Sequence, residues 1–156
     1  AKLREWGYPI EYATAKNSTW FPVGYRTLSI LAAREVFNWD ETVLFEMGHA
    51  APTYSFMVKF LMRYFLTLKQ TYFKSPNYWP THYTVGRMEA SEYYEKEKYF
   101  VLRMWEFYIH PVLCPYYAGY FLRIAEFASR DRNMRGEAPN CGVEAAPYHE
   151  FKVSWD

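Results

Sequence analysis

The sequence predicts an α+β fold: N-terminal helices packed on an antiparallel sheet, with a C-terminal helix and closing strand. Three observations carry this reading. Apolar residues recur at helical spacing through the first half of the chain. Between about residues 82 and 108 the pattern changes to segments rich in Tyr, Phe, Val and Trp around a charged connection, which suits an antiparallel hairpin. The order is helices, hairpin, helix, strand pair, and such segregation separates helices layered on an antiparallel sheet from an alternating parallel architecture. At 156 residues the chain has the size of one domain with a single core.

Residues 1–22 show no clean period. Pro9, Pro22 and the polar run Lys16-Asn17-Ser18-Thr19 predict an N-terminal arm ahead of a domain spanning 23–156. From Val23 onward Leu28, Leu31, Ala32 and Val36 fall on one helical face. Asn38-Trp39-Asp40 stops that helix and caps the next, which Gly48 is expected to close. A third helix is predicted from Pro52 and Thr53, with Met57, Phe60, Leu61, Tyr64, Phe65 and Leu68 as its buried stripe and Lys59, Arg63 and Lys69 outside. Ser75-Pro76-Asn77 and Pro80 end it. Strands are expected over 82–90 and 96–108. His110-Pro111 breaks the second of them, and Cys114-Pro115 leads into a helix over 116–127, with Tyr117, Tyr120, Phe121, Ile124 and Phe127 in its stripe. Residues 129–136 are charged and expected to begin exposed. The tail from Tyr148 alternates, with His149, Phe151, Val153 and Trp155 on one face and Glu150, Lys152 and Ser154 on the other.

Charge and composition exclude several functions. The 18 basic and 17 acidic side chains are interspersed, for a net charge of +1, so direct binding to nucleic acid is not expected. Hydrophobic residues make up 51% of the chain, yet charged residues interrupt every apolar run, so no membrane span is expected either. The opening Ala-Lys-Leu-Arg has neither an initiator Met nor a signal-peptide order, which suggests a piece of a larger protein. Two cysteines outside any dense framework favour a reducing cytoplasm. No phosphate-binding glycine loop, nucleophile elbow or zinc-protease pair is present, and an enzyme is not expected.

Two features invite function. Aromatic residues form 22% of the chain, which means either a heavily packed core or the lining of an apolar pocket. Cys114, Glu137, Cys141 and His149 are four potential metal ligands at a spacing too loose for a zinc finger, so only the fold can assemble them. The alternative is a buried small cysteine and a histidine on the inner face of its strand.

The stretch from His110 through Cys114, Gly119 and Glu126, followed by Glu137, Cys141 and Tyr148-His149-Glu150-Phe151-Lys152-Val153-Ser154-Trp155, resembles the four-vinyl reductase domain family. The preceding helices look like the wider superfamily, which includes haem nitric-oxide sensors and Golgi transport-complex subunits. The resemblance implies a small-molecule sensory domain, often fused to a transcriptional or kinase output module. It also implies a structural zinc near the pocket, held here by Cys114, Glu137, Cys141 and His149, with His149 replacing the family's last cysteine. Tetrahedral zinc accepts thiolate, imidazole and carboxylate. Haem is not expected, because the chain lacks the Tyr-x-Ser-x-Arg motif of the haem sensors.

The expected function is therefore a cytoplasmic ligand-sensing domain of a regulatory protein. Its pocket for a hydrophobic or aromatic ligand lies between the third helix (Met57, Phe60, Leu61, Tyr64, Phe65) and the central strand (Tyr99, Val101, Trp105, Phe107), with His82 or Trp105 orienting the ligand. A homodimer is expected. The alternatives are a protein-interaction or dimerisation module using Trp6, Trp20, Phe21 and Trp39, and a tetrapyrrole-binding accessory protein.

Overall fold

The computed structural model describes residues 1–14, 16, 19–55, 58–59, 67–129, 133–142 and 147–156. Among the described residues, the helices α1 (Lys2–Glu5), α2 (Val23–Phe37), α3 (Glu41–Tyr54), α4 (Leu68–Tyr78) and α5 (Leu113–Ala128) accompany the strands β1 (Arg87–Tyr94), β2 (Tyr99–Trp105), β3 (Met134–Cys141) and β4 (Tyr148–Trp155). The strands form one antiparallel sheet in the order β1-β2-β4-β3. The α+β class is as the sequence predicts. No helix among the described residues is long and apolar enough to cross a membrane.

Local chemistry explains most boundaries. Asn38 ends α2 in the left-handed region (φ 53°), which asparagine tolerates better than most residues. Asp40 caps α3 by accepting the Val43 N–H at 2.9 Å. Gly48 does not close α3, contrary to expectation; the helix continues to Tyr54, with Pro52 buried in its last turn. The predicted third helix therefore does not start at Pro52. Its stripe residues Met57, Phe60, Leu61, Tyr64 and Phe65 lie outside the described residues. Thr67 caps α4, its hydroxyl accepting the Gln70 N–H at 3.2 Å. Pro76 was expected to stop this helix but sits within it. Proline cannot donate to the carbonyl four residues back, and the Ser75 hydroxyl donates to that Tyr72 carbonyl instead, at 2.8 Å.

The closing strand runs as expected, whereas β1 is displaced from the expected 82–90 to Arg87–Tyr94 and β2 is shorter than the expected 96–108. A short 3₁₀ turn at Trp79–Thr81 and Gly86 at φ 71° delay β1 to Arg87. Glu106, at φ 53°, turns the chain out of β2 after Trp105. Residues 134–136, the end of the charged segment expected to begin exposed, start the edge strand β3. An edge position tolerates Pro139.

Helix α5 is buried on two sides, against α3 and against the sheet. Its face toward the sheet meets β4 through Phe121 and Phe151, whose rings lie 5.1 Å apart. Phe100, Leu102 and Met104 of β2 join Phe151 and Val153 in the continuous core. Toward α3 the contact is between backbones. A Cβ on Gly48 would sit 1.8 Å from the Tyr116 carbonyl oxygen, and one on Gly119 would sit 2.1 Å from that of Phe45. A polar clasp closes the far end of this interface, where Glu126 meets His49 and Arg123, each at 2.9 Å.

Gly48→Ala and Gly119→Ala are each expected to cost at least ~2–3 kcal/mol by overpacking. Gly24→Ala, where a Cβ meets nothing within 4 Å, should be neutral or stabilising by up to ~1 kcal/mol. Urea midpoints decide the matter, and similar midpoints for the Gly24 and Gly48 variants would rule out the close approach.

Candidate ligand site

The cysteine pair is the first place where sequence-distant chemistry converges. Cys114 lies in the first turn of α5 and Cys141 ends β3; they form a disulfide, with Cα atoms 6.1 Å apart. His149 is buried on β4, opposite Cys141 in the ladder. Its Nε2 lies 2.9 Å from the Phe107 carbonyl oxygen. A carbonyl only accepts, so Nε2 carries the hydrogen. That leaves Nδ1, 3.6 Å from the Cys114 sulfur, as the acceptor nitrogen. Burial holds His149 below its ordinary pKa, against the opposing effects of its hydrogen bonds with the Phe107 and Cys141 backbone.

The ligand atoms of Cys114, Cys141 and His149 lie within 4.8 Å of one another. Glu137, the fourth expected ligand, is not among them. It points from the outer face of the sheet, 3.4 Å from Lys152. Strict alternation would place residues 137 and 141 on one face, but the β3–β4 register shifts between Glu137 and Asn140, and this inserted residue turns Cys141 inward while Glu137 stays outside. The remaining three donors are one short of a closed structural zinc shell. While bonded to each other, the two sulfurs offer no thiolate.

The predicted pocket residues scatter. Phe107 is buried, with edge-on ring contacts to Trp79, Tyr83 and Tyr117. His82 is partly buried and lines two cavities. Tyr99 and Trp105 face outward: Lys152 lies over the Tyr99 ring, and the Trp105 indole donates to Glu89. Val101 is buried but outside the continuous core, and its carbonyl accepts the Tyr72 hydroxyl at 3.1 Å. The expected parity of β2 is thus reversed, with Phe100 and Leu102 facing α4 and α5.

Two cavities among the described residues bear on this reading. The one nearest the expected position, between α4, the sheet and α5, is lined by Trp79, Phe100 and Phe121 among others and holds about 90 Å³. A drug-sized ligand needs at least ~300 Å³, so this cavity takes no more than a small fragment. The second is a cleft of about 930 Å³ between the segment 19–30, α3 and residues 82–85. Its walls include Trp20, Phe21, Tyr25, Tyr54, Tyr83 and Tyr116.

Arg26 stands in this cleft. Its Nη1 donates to the Tyr83 hydroxyl at 2.6 Å and to that of Tyr117 at 3.2 Å. The guanidinium carbon lies 5.3 Å from the Tyr116 ring centroid, within cation–π range. Tyr117 in turn donates to Tyr83 at 3.1 Å, and Trp79 stacks on Tyr83 at 4.0 Å. Burial works against the charge of Arg26, but its tyrosine neighbours more than offset this and raise its pKa. Burial also raises the pKa of Tyr116 and Tyr117, so both phenols stay neutral. No described carboxylate lies within ion-pair distance of Arg26. Sequence reasoning missed this residue because a single arginine on an amphipathic helix reads as surface.

In comparison with known proteins, no family model, curated protein or solved structure matches the chain. The chemistry of the site is what bears on function.

Because His149 and His82 are both held below the ordinary histidine value by burial, the unfolded chain binds protons more readily as pH falls below about 6.5. Their contribution to stability is complete above that pH and declines as pH drops toward the lowered folded values. Thermal unfolding is expected at a lower temperature at pH 5 than at pH 7.5, and His149→Gln should shrink the difference. An unchanged difference in that variant would contradict a buried neutral His149.

Proposed function

We propose that this chain is a small-molecule-binding domain of a cytoplasmic regulatory protein, of the four-vinyl reductase kind, with a flat apolar or aromatic ligand as its signal. The observation that carries the reading is the cleft of about 930 Å³, which has the size and aromatic lining of a ligand site. The position differs from the one the sequence suggested: the ligand lies against α2, α3 and residues 82–85, away from the sheet. Arg26, His82 and the hydroxyls of Thr19, Ser29, Tyr83 and Thr84 are among the polar groups of the lining that would orient such a ligand between the aromatic rings.

A panel of planar aromatic compounds tests this by thermal shift. At a hundredfold excess over Kd, binding adds ~2.7 kcal/mol, which for a domain of this size raises Tm by ~5–10 °C. Ala50→Trp, which puts an indole into the cleft wall, should abolish the shift while leaving the chain folded.

A second reading has its own observation. Trp20 is 60% exposed, Phe21 45% and Tyr54 85%, all at the cleft, as a protein-binding or dimerisation surface would have them. Trp6 and Trp39, also considered for that role, are partly covered by Lys2 and by the core. No ligand shift, together with a concentration-dependent dimer that Trp20→Ser dissolves, would favour this reading.

Zinc belongs to the proposal only for the reduced protein, where Cys114, Cys141 and His149 become three donors. Elemental analysis of protein purified under reducing conditions should give about one zinc per chain if this holds. A metal-free result removes zinc and leaves the cleft reading intact.

A further inference from the structure

We infer that the cleft selects a monoanion, an aromatic carboxylic acid in its ionised form, and that Arg26 is the residue that recognises it. This rests on the cleft being a ligand site, and it deepens that reading by naming the ligand's charge and head group.

The argument begins with the donors of Arg26. A guanidinium has five N–H groups in a fixed fork. Two are directed from Nη1 to the hydroxyls of Tyr83 and Tyr117. Among the described residues Nη2 and Nε make no hydrogen bond to protein. Among the described residues the outer edge of the fork is therefore free, on a side chain that lines the cleft. The tyrosines fix the inner edge, so the guanidinium plane is set before a ligand arrives. An edge of this kind matches the two oxygens of a carboxylate.

Charge balance selects the class of anion. Among the described lining residues Arg26 is the one Lys or Arg, and there is no Asp or Glu. The neutral phenols around it supply hydrogen-bond acceptors and ring faces, but no counter-charge. A single cation in an apolar wall balances one negative charge; a phosphate dianion would leave a second charge uncompensated in the same surroundings. The rest of the wall specifies the body of the ligand. Tyr83 and Tyr116 flank the guanidinium, and Trp20, Phe21 and Tyr54 line the same cleft, so ring faces are on hand for a planar ring joined directly to the carboxylate.

The test uses 2-naphthoate and its neutral near-isostere 2-naphthamide, titrated by calorimetry into the wild-type chain and into Arg26→Gln and Arg26→Lys variants. The wild-type protein should bind the acid at least tenfold more tightly than the amide. Arg26→Gln should lose that preference while still binding the amide, and Arg26→Lys should retain part of it. Equal affinities for acid and amide in the wild type, or a preference that survives Arg26→Gln, would overturn the inference and leave the cleft reading standing. Binding of neither probe to the wild-type chain would overturn both.

Discussion

The backbone of α3 lies against the backbone of α5, and the rest of the molecule is arranged around that contact. Gly48 and Gly119 make it possible from opposite sides, each leaving space for a carbonyl oxygen of the other helix. Side chains of ordinary size would hold the axes ~8–10 Å apart; here neither glycine has a side chain to insert. The approach draws α5 inward until it is covered by α3 on one side and the sheet on the other. That is why nine of its residues are buried, more than the single stripe of an amphipathic surface helix. Gly136 repeats the device on the sheet side, where a Cβ would lie 2.9 Å from the Ala118 carbonyl oxygen.

A helix held this firmly is a good platform for chemistry at its first turns. Cys114, Tyr116 and Tyr117 follow one another there, and each faces a different neighbour. Cys114 reaches Cys141 at the sheet edge, Tyr116 forms part of the cleft wall, and Tyr117 hydrogen-bonds Arg26 and Tyr83. Phe107 ties the two regions together. Its carbonyl accepts from His149 beside the disulfide, while its ring packs on Trp79, Tyr83 and Tyr117. Phe107 thus has a polar contact with the His149 beside the disulfide and an aromatic contact with the Tyr83 of the cleft wall.

The order of elements was legible in the sequence because it depends on period and punctuation. Asp40 announced its helix, the aromatic run after Lys98 announced a strand, and the alternation from Tyr148 to Trp155 gave the inward face of β4 correctly. What could not be read depends on contacts far along the chain. Gly48 has the composition of a helix stop and is instead a point of helix–helix approach. Pro76 has the composition of a breaker and is accommodated by one hydroxyl. The candidate site suffered from the same blindness. An inserted residue in β3 separates Glu137 from Cys141, and the parity of β2 was read through Phe107, which lies beyond the left-handed Glu106 and is the one of its odd-numbered set in the continuous core. Arg26 carries no local mark of its surroundings, since its described partners, Tyr83, Tyr116 and Tyr117, come from residues 83–117.

The irregularity that separates Glu137 from Cys141 has a counterpart at the opposite margin of the sheet, where the β1–β2 register shifts between Ala90 and Glu92. Both outermost strands are thus kinked, and one of them also carries Pro139. A straight outer strand offers a row of free amides and carbonyls to any passing chain, and kinks with a proline remove that template. Copies of this domain are consequently ill suited to joining their sheets end to end into a continuous ribbon. Association between copies is left to side chains, because the backbone margins of the sheet offer no straight row of free amides and carbonyls.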